Sequence, residues 1–172
     1  MSPSGEPQFA GRIGPLVEDS EPWWPDTPRP PAFPTGTRAP NVVVVLLDDT
    51  GFAHFGCYGS TIETPTIDRL AAGGLRYTNF HTTALCSPTR GALLTGRNHH
   101  SVATGVVIEM GTGYPGYTGV VSNTTAGLPE LLRHNGYATS AFGKWHNTPD
   151  NEIAPSGPFD RWPTGKTWGF EY

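Results

Sequence analysis

Cysteine, charge and long apolar runs are all scarce in this chain, and each scarcity excludes something. Two cysteines, Cys57 and Cys86, among 172 residues cannot make a disulfide scaffold. Nothing around them has the look of a paired metal–thiolate site either. Charged residues make up 15% and the formal net charge is −4. The basic residues are scattered, so there is no positive field for a nucleic acid. No apolar run approaches the ~20 residues that a membrane span needs. The opening stretch MSPSGEPQFAGRIGP has no charged segment followed by an apolar core. No secretory signal is visible, and a cytoplasmic location is the expectation. The sequon Asn123-Thr124-Thr125 means little without export. What remains is a chain of one-domain length, able to bury about two-thirds of its unfolded surface.

Proline, by contrast, is plentiful and unevenly placed. Ten of the eighteen prolines fall in the first forty residues, densest in EPWWPDTPRPPAFP. Proline fixes φ and removes an amide donor, so residues 1–39 are expected to form an extended arm without regular structure. Trp23 and Trp24 could staple that arm to the folded body; a PxxP ligand for a partner is the sharper alternative.

The folded part, 40–172, opens with NVVVVLLDDTG. A continuous β-branched and leucine run is the pattern of a strand buried on both faces, as in parallel sheets. TPTIDRLAAGG predicts a helix with Thr64 as N-cap, Pro65 at its first position and Gly73 or Gly74 beyond its end. Ile67, Leu70 and Ala71 share one face of it. LRYTNFHT reads as a second strand, followed by a helix from CSPTR. Residues 105–127 are Gly-rich and read as a long loop, a length often tied to function. LPELLRHNG predicts a short helix closed by Gly136, and YATSAFG a strand running into Lys144. Strands alternating with helices indicate α/β architecture.

Three places carry chemistry. Asp48 and Asp49 end the apolar strand, where open α/β sheets place their ligand crevice. Adjacent carboxylates repel unless a cation neutralises them, and oxygen ligands favour Ca²⁺ or Mg²⁺; solvated acids at a strand end are the plainer reading. Cys86 precedes Ser87, read as N-cap, and Pro88, read as the first helical residue. A helix start binds anions, and Arg90 adds a permanent bidentate donor. A thiol there can act as a nucleophile, although a lone cysteine is more commonly a small buried hydrophobe. In GKWH, Lys144 and His146 would point the same way from a strand end, able to bind an anion and move a proton. An acidic pair, an anion-binding helix start and a Lys/His pair are together what attack on a tetrahedral anion requires.

Asp48-Asp49 after the apolar run, CSPTR followed by GALLTG, and GYATSAFGKWH together resemble the N-terminal part of a type I sulfatase, with arylsulfatases nearest. The resemblance covers residues 40 to 172 and implies an alkaline-phosphatase-like fold, a mostly parallel sheet flanked by helices. It implies that Cys86, within the full Cys-x-Pro-x-Arg motif, is converted to formylglycine by a formylglycine-generating enzyme. The hydrated aldehyde would attack a small-molecule sulfate ester with one hydroxyl and expel sulfate with the other. Asp48, Asp49 and modified Cys86 would then ligate calcium, with magnesium a lesser choice. Arg90 would hold the modified residue, Lys144 would bind sulfate and His146 would take a proton. His81, His99 and His100 flank the motif without a transferable role, and Cys57 reads as structural. Phe142 is bulkier than the family's usual residue before Gly143.

The family's second metal-ligand pair is not matched, since Asp150-Asn151 follows His146 too closely, so an N-terminal fragment is the expectation. A sulfuric ester hydrolase is the leading reading. A phosphomonoester or phosphonate hydrolase of the same superfold is the second, and a catalytically inactive remnant the third.

Overall fold

The computed structural model describes residues 39–154, 156 and 159–172. The Pro-rich arm lies outside the described residues but for its last, and with it Trp23 and Trp24. Val42–Tyr172 forms a compact unit and carries every element named below.

Helix α1 spans Pro65–Gly73, with Thr64 as N-cap and Gly74 as C-cap. Proline suits the first position because that amide has no intrahelical partner. The Thr64 hydroxyl does not cap the helix. It accepts from Gly56 N and donates to the Asp68 carboxylate, each at 2.9 Å, and Asp68 accepts from Cys57 N at 2.7 Å. These bonds seat the 3-10 turn Gly56–Tyr58 on the first turn of α1. A Cβ on Gly56 would lie 2.6 Å from Asp68 Oδ2, so a larger residue would have to displace the carboxylate that holds the turn. Cys57 is thus held by its backbone, and both cysteines are free thiols. The expected apolar face is not buried as a unit. Ile67 and Ala71 are half-buried, but Leu70 is 68% exposed, since among the described residues no sheet lies beneath the helix.

Helix α2, Cys86–Thr95, starts two residues earlier than the sequence predicts. Extended Leu85, not Ser87, is the N-cap, and Cys86 is the first helical residue. Pro88 falls third, still among the positions whose amides lack an intrahelical acceptor. The first helical bond runs from Thr89 N to Leu85 O at 3.1 Å. Gly96, at φ 65°, closes the helix with a bond from its N–H to Ala92 O. Ser87, Pro88 and Gly91 form its buried face, which packs on the 3-10 turn His99–Val102.

Helix α3, Leu128–His134, ends at Asn135, after which Gly136 adopts φ +84° and donates to Arg133 O at 2.9 Å. A left-handed residue just past a helix is the usual place for glycine.

The three expected strands do not form, and among the described residues there is no strand. Val42–Leu47 runs without a ladder, and Val43 is 85% exposed. A strand pattern becomes a strand only when a neighbour takes its backbone donors and acceptors, and here none does. Residues 75–82 are likewise unpaired, with Leu75, Tyr77 and Phe80 exposed. Residues 137–143 come nearest: Ala141 N donates to Tyr172 O at 2.8 Å and Glu171 N to Thr139 O at 3.0 Å.

The Gly-rich stretch is a loop, as its composition implies, with one 3-10 turn at Ile108–Met110. It folds back through bonds from Gly105 N to Gly116 O and from Gly119 N to Ala103 O, both 2.8 Å. Val102, Ile108, Val121 and Trp168 make the buried apolar core, with Trp145 edge-on to Trp168 at 5.3 Å. Arg161 pairs with Glu152 and donates to Val121 O at 2.6 Å, tying the late segment to the loop. That packing sets the loop and the GKWH segment side by side. No helix among the described residues is long and apolar enough to cross a membrane.

Candidate active site

Cys86 sits at the start of α2, where the amides of the first turn have no intrahelical acceptor. Its Sγ lies 3.1 Å from His146 Nδ1. On the other edge of the ring, His146 Nε2 lies 2.7 and 2.8 Å from the two carboxylate oxygens of Glu109. His146 has φ 58°, an uncommon backbone state for a residue with a side chain. The fully buried Asn147 steadies that backbone: with the amide orientation that satisfies both of its ends, its nitrogen donates to His146 O and Ser87 O at 3.3 and 3.2 Å.

A second cluster borders the first. Lys144 Nζ donates to Asp48 Oδ2 at 2.6 Å, and Arg90 Nη2 meets Asp48 Oδ1 at 3.5 Å. Arg90 also donates through Nη1 to Lys144 O, and its side chain is only 11% exposed. Its Nε is buried without a hydrogen-bond partner among the described residues. The Lys144 hydrogen bond, against the opposing effect of burial, holds the Asp48 carboxyl below its usual range, and Arg90 adds to this. In return the Asp48 hydrogen bond raises Lys144, against the opposing effect of burial, and the neighbouring Cys86 adds to the rise. The Glu109 carboxyl is lowered first by a backbone hydrogen bond within its own residue, and then by His146 and Lys144, while burial opposes.

Of the residues singled out from sequence, Asp48, Cys86, Arg90, Lys144 and His146 come together. They arrive from the end of the apolar run, from α2 and from the GKWH segment. Asp49, at φ 50°, joins none of these contacts. His81 bonds Asn79, while His99 stacks on His100, which bonds Tyr117. Sequence reasoning missed Glu109, Ser87 and Asn147. One signal for Glu109 was present: it is the sole charged residue between Gly105 and Gly127.

By donor type, Asp48 and Asp49 suit calcium, a hard cation that takes six or more oxygens. By number and arrangement they do not. Both Asp48 oxygens are engaged by cations, and among the described residues no group of three His, Cys, Asp or Glu side chains could hold a metal ion. The residues do not fit the ion as they stand, and no step below runs through it.

Known proteins share this stretch of chain. The Sulfatase family model matches residues 40–172. An uncharacterized sulfatase of Schizosaccharomyces pombe is 43% identical over 130 residues, covering 70% of this chain and 24% of its own. Human arylsulfatase A is 41% identical, covering 71% and 23% respectively. Pig N-acetylgalactosamine-6-sulfatase is 39% identical, covering 73% and 25%. The chain thus spans about a quarter of the length of these relatives. A solved structure described under metabolism of multiple glycosaminoglycans by Bacteroides thetaiotaomicron superposes with a TM-score of 0.55 at 32% identity, covering 73% of this chain and 25% of that one. A family match over most of its residues, carried by relatives at about two-fifths identity, has one meaning: the chain belongs to the sulfatase family.

Proposed function

We propose that this chain carries the nucleophile side of a sulfuric ester hydrolase site, arylsulfatase-like, acting on a small-molecule sulfate ester. One observation carries the reading: a basic ring nitrogen, His146 Nδ1, lies 3.1 Å from Cys86 Sγ at a helix start flanked by Lys144 and Arg90. Formylglycine made from Cys86 by a formylglycine-generating enzyme supplies, when hydrated, a second hydroxyl through which sulfate is released. The chain's own residues do the rest. The free amides that open α2 and the guanidinium of Arg90 offer donors to an oxyanion. Lys144 sits beside both Asp48 and Cys86, able to turn its charge to the sulfate oxygens. His146 Nδ1 accepts the proton that leaves position 86. The Val42–Leu47 run is read as a strand of the family's α/β sheet, a role its unbroken β-branched sequence supports.

Calcium enters the proposal through Asp48, Asp49 and the modified residue 86, and calorimetric titration of the converted chain tests it. Heat that vanishes in Asp48→Asn supports the set as ligands; no heat in the converted parent chain removes the ion from this reading.

The decisive experiment co-expresses the chain with a formylglycine-generating enzyme and weighs the peptide spanning position 86. Conversion replaces sulfur by oxygen and lightens the peptide. The converted chain is then offered aryl sulfate and aryl phosphate. Sulfate cleavage abolished by Cys86→Ala supports the proposal, and faster phosphate cleavage favours the phosphomonoester reading. Cleavage of neither by fully converted chain leaves the inactive-remnant reading in place.

A further inference from the structure

We propose that Glu109 is a positioning residue of this site: it holds the His146 ring with the proton on Nε2, so that Nδ1 is bare where it faces position 86. The proposal deepens the hydrolase reading and takes its purpose from it, while its geometry stands alone. Both Glu109 oxygens lie within 2.8 Å of His146 Nε2, on the edge of the ring remote from Cys86. A carboxylate only accepts, so a hydrogen bond there requires the hydrogen on Nε2. A neutral imidazole carrying that hydrogen has its lone pair on Nδ1, the atom 3.1 Å from Cys86 Sγ. The carboxylate thereby selects the tautomer that can take a proton from position 86.

The loop that carries Glu109 is fastened to the same helix start as Cys86. Ile108, beside Glu109, is 6% exposed, and its N–H donates to Ser87 Oγ at 3.4 Å. Ser87 directly follows Cys86 and is fully buried. The 3-10 turn Ile108–Met110 closes with a bond from Gly111 N to Ile108 O at 3.0 Å. Asn147 fastens the His146 backbone back to Ser87 O. The carboxylate, the ring and the thiol thus share one anchor, and the ring is clasped from both edges. When the proton moves, the bond to hydrogen at position 86 breaks and the Nδ1–H bond forms. The hydrogen on Nε2 stays there, and the Glu109 charge faces the imidazolium; Glu109 takes no proton.

The test is long-range ¹H–¹⁵N NMR of the histidine rings in the full, unconverted chain, at a pH where imidazole is neutral, with His146 assigned by the signal lost in His146→Gln. The expected result is the Nε2–H tautomer for His146 in the parent chain, with Nδ1 resonating as an unprotonated nitrogen. Glu109→Ala should release the ring to the mixed tautomers of a free imidazole, and Glu109→Asp should restore part of the preference. An Nδ1–H tautomer in the parent chain overturns the proposal without any variant. So do identical His146 nitrogen shifts in the parent, Glu109→Ala and Glu109→Gln chains. No turnover is needed, so a chain that cleaves no sulfate ester leaves this result intact. A lost tautomer preference, in turn, leaves the hydrolase reading untouched.

Discussion

Asp48 is met by two cations, Lys144 at 2.6 Å and Arg90 at 3.5 Å, and that pairing makes a prediction about acid. Its carboxyl is held below the ordinary value of 3.8, chiefly by the Lys144 hydrogen bond. A carboxyl depressed in the folded state stabilises the fold above its unfolded value. The contribution is lost as pH falls through the folded value, so the loss lies on the acid side of 3.8. In Lys144→Met the Asp48 carboxyl should titrate at higher pH, and acid unfolding should begin earlier. Carbon NMR of that carboxyl across an acid titration checks this; an unmoved midpoint would sink it. The same residue scale explains what could be read in advance. CSPTR, the paired aspartates and GKWH announce their chemistry by residue type and spacing, and Asp48, Cys86, Arg90, Lys144 and His146 do meet, while Asp49 stays apart. Glu109 belongs to no motif, and its value appears only where the loop brings it within 2.7 Å of His146.

At the scale of elements, α2 is held by its glycine. Gly91 faces Thr104, which is fully buried and donates through Oγ1 to His99 O at 3.2 Å. A Cβ at 91 would lie 2.6 Å from that hydroxyl oxygen. Alanine has the better helix propensity, but overpacking here outweighs it, because the obstructing atom is itself buried and bonded. Gly91→Ala is expected to cost ~1–3 kcal/mol in urea unfolding, and Thr104→Ala in the same chain to return part of the loss. Additive effects of the two changes would show that the contact is not the cause. The helices themselves were legible because caps act between residues one to four apart. The start of α2 was misplaced by two residues because Ser87, a favoured N-cap type, spends its hydroxyl on Ile108 instead.

For the molecule as a whole, the apolar stretch Val42–Leu47 stands out. Val42, Val43, Val44 and Val45 are each more than 60% exposed. Unpaired β-branched runs pair with other chains when nothing covers them. The chain should therefore self-associate with rising concentration in light scattering, and V43K/V45K should reduce that association. Equal scattering by parent and variant would refute the idea. Pattern alone does not make a sheet, since periodicity reports what a segment is able to bury and a ladder also requires a partner.

Residue order alone carried the family signature, three helices and most of the side chains that meet at the candidate site, because those features depend on side-chain type and near neighbours. Folding decided the rest: Asp48 meets Lys144 across 96 positions, Cys86 meets His146 across 60, and Glu109 meets His146 across 37. Such meetings depend on which surfaces pack. Here a small core around Ile108, Val121 and Trp168 draws a glycine-rich loop against the end of the chain and sets its one carboxylate on the histidine.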